Sequence, residues 1–407
     1  MKFNKWTVGL AAVGVVSLAS AARADEQMSQ VQTALTQTTL SGYVDTAMQY
    51  NPGTDANPGT GGVAGANVPH YSFAKDDGFQ FNAIDIALDR PEDSSAWAAG
   101  YHIELMAGSD AVGVGAIRQA FVRLHTPVGG NGIDWEIGIW DNLIGYESNS
   151  DPLNPNYTRS YGYSIEPTTM TGVLATYKVN DEITVEAGVA DQPGGLGVIA
   201  PSFGSTTQYE SQKAYTGLVT LTAPDSMGFL KGATLSGGVV DGNDSQKFGN
   251  GQTINWYVGA TIPTPMNQLK VGFAYDYLSE SDLAKAGNNI GDNIWVLGGY
   301  ATFQATDKLS FNGRAEYFSD SSNPGDTVVL YSTFNAPFGP TTAGNKGEEI
   351  TGTVQYNLWA NVITRGEFRW DHVEHGSAFG ASSNFFNEGA PYKSNDFLLA
   401  LNIIYQF

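Results

Sequence analysis

Apolar and polar residues alternate along this chain in short bursts, and the last burst is the clearest. Phe397, Leu399, Leu401, Ile403, Tyr405 and Phe407 occupy every second position, which places them on one face of a β-strand. The same period of two recurs over 39–50, 79–89, 96–108, 117–125, 133–140, 170–179, 183–190 and 213–223. It continues over 231–240, 253–262, 269–278, 293–304, 309–318, 349–356, 362–371 and 396–407. The pattern predicts about sixteen strands (roughly fourteen to eighteen), most near the 9–11 residues that a tilted strand needs to cross a bilayer. Phe79 and Phe81 fall out of phase with Ile84, Ile86 and Leu88, which predicts a bulge near Asn82.

The connections between strands sort into two classes. The segments 90–95, 126–132, 180–182, 224–230, 263–268, 305–308 and 357–361 are short. Those between them are mostly long: 51–78, 141–169, 191–212, 279–292, 319–348 and 372–395, with 109–116 and 241–252 shorter. Pro91, Pro127, Pro224, Pro263 and Pro265 fall in the short class, where a missing amide donor does no harm. Short turns on one side and long loops on the other predict an all-β, transmembrane antiparallel up-and-down β-barrel. A soluble sandwich has no reason to segregate its loops in this way. An even strand count returns both ends of the sheet to the turn side.

The N-terminus predicts export. Lys2 and Lys5 precede the apolar run Trp6 to Leu18, and Ala22-Arg23-Ala24 is a small-x-small cleavage site, so 1–24 reads as a signal peptide. Residues 25–37 then form a short periplasmic segment and 38–407 the barrel. After residue 24 no apolar run reaches the roughly 18 residues of a spanning helix. Cysteine is absent, glycine numbers 49 and aromatics reach 12%, which suits a closed sheet with a wet interior and an apolar belt. Without Lys2, Lys5 and Arg23, 17 basic residues face 41 acidic ones, a formal charge of −24. A phosphate backbone would be repelled, which excludes nucleic acid as a partner.

Charged residues take the face opposite the apolar one. In the third strand Trp97, Ala99, Tyr101, Ile103 and Leu105 oppose His102 and Glu104, and in the fifth Ile133, Trp135, Ile137 and Ile139 oppose Glu136. In the thirteenth Leu309, Phe311, Ala315 and Tyr317 oppose Asn312, Arg314 and Glu316, and in the fifteenth Phe368 and Trp370 oppose Arg365, Glu367, Arg369 and Asp371. Facing lipid, a midplane Arg or Lys costs roughly 2–4 kcal/mol, so the charged faces point inward. Sixteen strands leave a lumen too wide for side chains to fill. Glu104, Arg123, Glu136, Arg314, Glu316, Arg365, Glu367, Arg369 and Asp371 are the expected channel-lining residues. Asp45, Asp85, Asp89, Glu186, Asp276, Lys178 and Lys270 join them on the inward face. The acidic surplus predicts a mild cation preference. Each charge also fits a plainer role, as half of a wall salt bridge.

Several ordered motifs resemble the OmpL-like β-barrel porins of bacterial outer membranes. They are Leu40-Ser-Gly-Tyr-Val-Asp45, Phe81-Asn-Ala-Ile-Asp-Ile-Ala-Leu-Asp-Arg-Pro91, Gly108-Ser-Asp-Ala111, Gln119-Ala-Phe-Val122 and Pro127-Val-Gly-Gly130. Gly145-Tyr-Glu147, Tyr157-Thr-Arg-Ser160, Thr171-Gly-Val-Leu174 and Gly366-Glu-Phe-Arg-Trp-Asp371 extend the match over most of 38–407. The resemblance implies a porin barrel and supplies no solute. In general porins, similar to this chain in strand number, the third long loop folds into the lumen. The corresponding expectation is that 141–169 narrows the channel, with Asp141, Glu147 and Arg159 at the constriction. The alternative is an ordinary exposed loop with solvated charges.

Other signals stay at background. His372 and His375 stand beside Asp371 and Glu374 without a further metal ligand, and Asp241-Gly-Asn-Asp244 lacks the spacing of a calcium loop. No nucleophile elbow occurs, so no catalytic residue, metal or cofactor is assigned. The reading is an outer-membrane porin passing small hydrophilic solutes by diffusion, with membrane lipid around it and, by analogy with sixteen-stranded porins, a homotrimer. Its rivals are a surface-binding barrel with a plugged lumen and a secreted carbohydrate-binding β-sandwich. The barrel reading predicts that the purified mature chain needs detergent to remain monodisperse. Size-exclusion chromatography showing a stable monomer in plain buffer would refute it.

Overall fold

The structure, a computed structural model, describes residues 37–52, 75, 77–112, 116–191, 213–244, 251–280, 292–320, 346–374 and 394–407. The expected signal peptide and the periplasmic segment up to residue 36 lie outside them. The strands are β1 (Thr39–Tyr50), β2 (Gly78–Arg90), β3 (Ala98–Ala107), β4 (Ile117–Thr126), β5 (Ile133–Asp141) and β6 (Thr169–Lys178). They continue as β7 (Ile183–Asp191), β8 (Lys213–Thr222), β9 (Thr234–Asp244), β10 (Gly251–Pro263) and β11 (Leu269–Glu280). The last five are β12 (Asp292–Gln304), β13 (Leu309–Asp320), β14 (Lys346–Trp359), β15 (Val362–Val373) and β16 (Asn395–Gln406).

Each strand pairs antiparallel with its sequence neighbours, and β1 pairs with β16 to close the barrel. Closure removes the sheet edge, so no row of backbone donors and acceptors faces lipid. The seam ends with Gly42 and Phe407 exchanging both backbone hydrogen bonds, at 3.1 and 3.0 Å.

Side-chain exposure follows the period of two. Leu399, Leu401 and Ile403 are about half exposed on the outer wall, whereas Leu398, Ala400 and Ile404, in the opposite phase, are buried. The bulge expected near Asn82 is present: Asp45 pairs with Ala83 and Thr46 with Phe81, leaving Asn82 unpaired in the ladder. The extra residue turns the Asn82 side chain inward, where its amide donates to Asp45 at 2.7 Å. Asp241-Gly-Asn-Asp244, read from sequence as loop, is the end of β9. Its ladder with Gly251–Ile254 of β10 accounts for the difference.

Part of the lumen is dry, which alternation did not predict. Trp140, Ile144, Met170, Leu174, Leu218, Val240, Tyr257 and Tyr300 form one buried apolar cluster spanning β5 to β12. Tyr157 packs with Ala47, Leu398 and Ala400 in another. Both gather around residues 142–168, the third long connection.

Backbone approach is close at Gly108. Its φ is +133°, and a Cβ there would lie 2.2 Å from the Asn82 carbonyl oxygen. Gly108→Val is expected to lower unfolding stability by about 2–3 kcal/mol, read from urea unfolding in detergent. An unchanged midpoint would contradict this packing.

Candidate functional site

Residues 142–168, here called L3, lie inside the barrel. A loop in that position has no strand ladder, so each backbone donor and acceptor needs another partner. The wall provides them with charged side chains. Glu367 of β15 accepts from the amides of Tyr157 (2.5 Å) and Thr158 (2.9 Å) and from the Thr158 hydroxyl (2.6 Å). Glu316 of β13 accepts from the amides of Tyr161 (2.6 Å) and Gly162 (3.2 Å). Arginines serve the carbonyls. Arg365 donates to Asp151 and Asn154, Arg369 to Arg159 at 2.6 Å, and Arg314 to Thr158 at 2.7 Å.

Side chains complete the anchorage. Arg314 holds Glu147 at 2.7 Å and Glu349 at 3.1 Å. The Tyr161 hydroxyl donates to Asp371 at 2.8 Å, and Asn255 of β10 donates to the Ile165 carbonyl at 2.8 Å. Within the loop Arg159 pairs with Asp151 at 2.5 Å, and Ser160 caps a short helix α1 (Tyr161–Ile165) by accepting from the Tyr163 amide. L3 thus runs against β10, β13, β14, β15 and β1. The alternative of an ordinary exposed loop with solvated charges does not describe it.

Most of the expected site residues are brought together here. Arg314, Glu316, Arg365, Glu367, Arg369 and Asp371 are buried under L3, and Glu147 and Arg159 are taken up in holding it. Asp141 differs from expectation: it ends β5 rather than opening the loop, and Arg118 binds its carboxylate at 2.6 Å. The same guanidinium binds Glu104 at 2.7 Å. Arg123 and Glu136 stand apart, half-buried on the β4–β5 wall, with Arg123 also binding Asp89 at 2.7 Å. His102 completes this strip, its two ring nitrogens facing Asp89 and Glu104 at 3.0 and 3.3 Å.

Two anchoring residues escaped sequence reasoning. Arg118 alternates in phase with the outward Ala120 and Val122, but a register shift opposite Glu104 and Leu105 turns it inward. Lys75 sits in the long connection 51–78 and carries no pattern. It is buried, and its ammonium contacts Asp110 (2.6 Å), Asn82 (2.7 Å) and the Tyr157 hydroxyl (3.3 Å). It therefore ties the first three long loops together. His372 of β15 bonds Asn395 at 3.0 Å, and His375 lies outside the described residues.

The family model described as "Putative beta-barrel porin-2, OmpL-like" matches residues 37–407. The chain belongs to this family. It is accordingly a porin-like β-barrel of a bacterial outer membrane. Among solved structures, an anion-selective porin from Comamonas acidovorans aligns at 13% identity and TM-score 0.57, covering 91% of this chain and 99% of that one. OmpT of Vibrio cholerae in its trimer form aligns at 12% identity and TM-score 0.57, covering 91% and 99%. The outer membrane channel DcaP of Acinetobacter baumannii aligns at 13% identity and TM-score 0.54, covering 91% and 97%. At such identities the likeness is one of fold. No curated protein matches the sequence.

The far end of L3 carries a titratable contact. Burial drives the Glu166 carboxyl well above its ordinary range, and the hydrogen-bonded Asp276 of β11 and the charges of Glu147 and Glu316 add to the shift. Gly145, at φ +125°, leaves room for this carboxyl: a Cβ there would lie 2.2 Å from Oε2. A raised carboxyl stabilises docked L3 at low pH, and that contribution fades as pH climbs from the ordinary carboxylate range to the raised value. Limited proteolysis within 142–168 should therefore accelerate as pH rises, and Glu166→Gln should flatten the dependence. Equal cleavage rates in both proteins across the range would count against it.

Proposed function

We propose that this barrel is a porin: a water-filled channel for passive diffusion of small hydrophilic solutes, with L3 setting its narrowest part. The observation that carries the reading is the anchorage of L3 across the lumen by Glu316, Glu367, Arg314, Arg365 and Arg369. A loop fixed at both its backbone and its side chains holds a constant aperture. Family membership supports the same reading. Glu147 and Arg159 act as constriction-loop residues by keeping that aperture shaped, and Asp141 supports it from the end of β5.

Solutes pass beside L3, along the β2–β7 wall. There Glu104, Arg123 and Glu136, with Asp89, His102 and Glu186, form the charged lining. Asp89, Glu136 and Glu186 outnumber Arg123, which supports a mild cation preference. Diffusion down a gradient needs no catalytic residue and no cofactor. A homotrimer is the assembly we propose, by likeness to the trimer form of OmpT.

The burial of most residues from 154 to 166, together with the apolar cluster around Trp140, favours a second reading, a plugged barrel that binds partners at the surface. Deleting 148–158 separates the two. As a porin, the wild-type protein conducts in planar bilayers and the deletion raises its single-channel conductance. The reversal potential across a salt gradient then takes the sign of cation preference. A silent wild-type barrel that conducts only after deletion would establish the plug. Equal conductance in both proteins would remove L3 from the aperture.

A further inference from the structure

A cavity of about 540 Å³ lies beneath L3, between the loop and β9–β14. Its strand side offers Ser236, Thr302, Gln304, Ser310, Asn312 and Gln355. Although the chain has twice as many acidic as basic residues, no carboxylate lines this cavity, and Lys270 is its one charged group among the described residues.

Two of these polar side chains point to a ligand. Ser310 and Asn312 are 5% and 6% exposed, and neither side chain bonds another group among the described residues. Their polar atoms are not sealed within the wall, so their hydrogen-bonding capacity is open to the cavity they line. The opposite side is apolar. L3 presents Pro152, Leu153 and Pro155 to it, and Leu153 is 72% exposed. Elsewhere L3 buries its apolar side chains in the lumen cluster, so a leucine left open at this position marks a surface that something else covers.

We infer that this cavity is a binding subsite for an uncharged, hydroxyl-rich solute of the sugar class. A pyranose ring has a C–H face and a hydroxyl rim. The face fits the Pro152–Leu153–Pro155 ledge, and the rim meets the hydroxyls and amides of β9–β14. Cavities that recognise small molecules combine apolar surface with a few placed polar groups in this way. Neither the ammonium group of a zwitterion nor a cation would find a counter-charge, because the lining has acceptor oxygens but no carboxylate. The volume exceeds that of one sugar ring, so a disaccharide fits with bound water. The inference rests on the channel reading, because the cavity is reached through the lumen.

Binding can be measured without relying on conductance. Detergent-solubilised barrel is titrated with maltose, glucuronate and glucosamine, and saturation-transfer NMR reads occupancy. Maltose should bind saturably and at least as tightly as either charged sugar. Asn312→Leu should weaken it about fivefold, the worth of one hydrogen bond. Leu153→Ser, at an exposed position that folding does not depend on, should weaken it by a similar factor. Absence of saturable maltose binding would overturn the inference, as would binding that both variants leave unchanged. Tighter binding of glucuronate would overturn the neutral class and assign the site to Lys270. A barrel that binds maltose yet passes no ions would refute the channel and leave the subsite standing.

Discussion

The backbone of L3 needs partners that no ladder can supply. An irregular segment inside a membrane barrel must have its amides and carbonyls met by side chains or water. In this protein carboxylates meet the amides and guanidinium groups meet the carbonyls. Hydrogen bonds to charged groups contribute about 1.5–3 kcal/mol each, roughly twice the neutral value. A buried charge left without a partner costs several kcal/mol. Loop and wall therefore depend on each other: Glu316 and Glu367 are tolerable in a closed interior because L3 fills their oxygens, and L3 stays in place because they do.

This mutual requirement explains why the inner face of β15 reads Arg365, Glu367, Arg369, Asp371. Free to solvent, such a run would be a strongly charged wall. Under L3 the arginines face outgoing carbonyls, Glu367 faces incoming amides, and Asp371 takes the Tyr161 hydroxyl and the Arg369 guanidinium. Arg123 and Glu136 carry the same residue types on β4 and β5, yet remain half-exposed because L3 does not reach that wall. The charges nearest the loop thus serve architecture, and those away from it stay partly exposed on the wall.

Some features were legible from spacing alone. The outer face of β16, the inward face of β13 and the bulge at Asn82 all follow from the period of two and one break in its phase. The segregation of short turns from long loops carried the topology. Arg118 was not legible, because one extra residue opposite Glu104 reverses the face it occupies. Lys75 was not legible either: it reaches Asp110 and Tyr157 only because three loops converge over the lumen. The dry cluster around Trp140 was hidden for a related reason. Its members are inward-facing apolar residues scattered over several strands, and nothing in any one strand marks them as neighbours.

By itself, then, the sequence determined what each residue's nearest neighbours impose: strand, face, turn and the belt that meets lipid. These are local consequences of side-chain alternation, which a period of two records directly. Tertiary structure decided which inward charges stay open and which disappear beneath L3. It also decided where the lumen is dry and where a cavity lined by hydroxyls and amides remains. Those outcomes depend on contacts between residues as far apart as Tyr157 and Glu367, and such pairs leave no periodic trace along the chain.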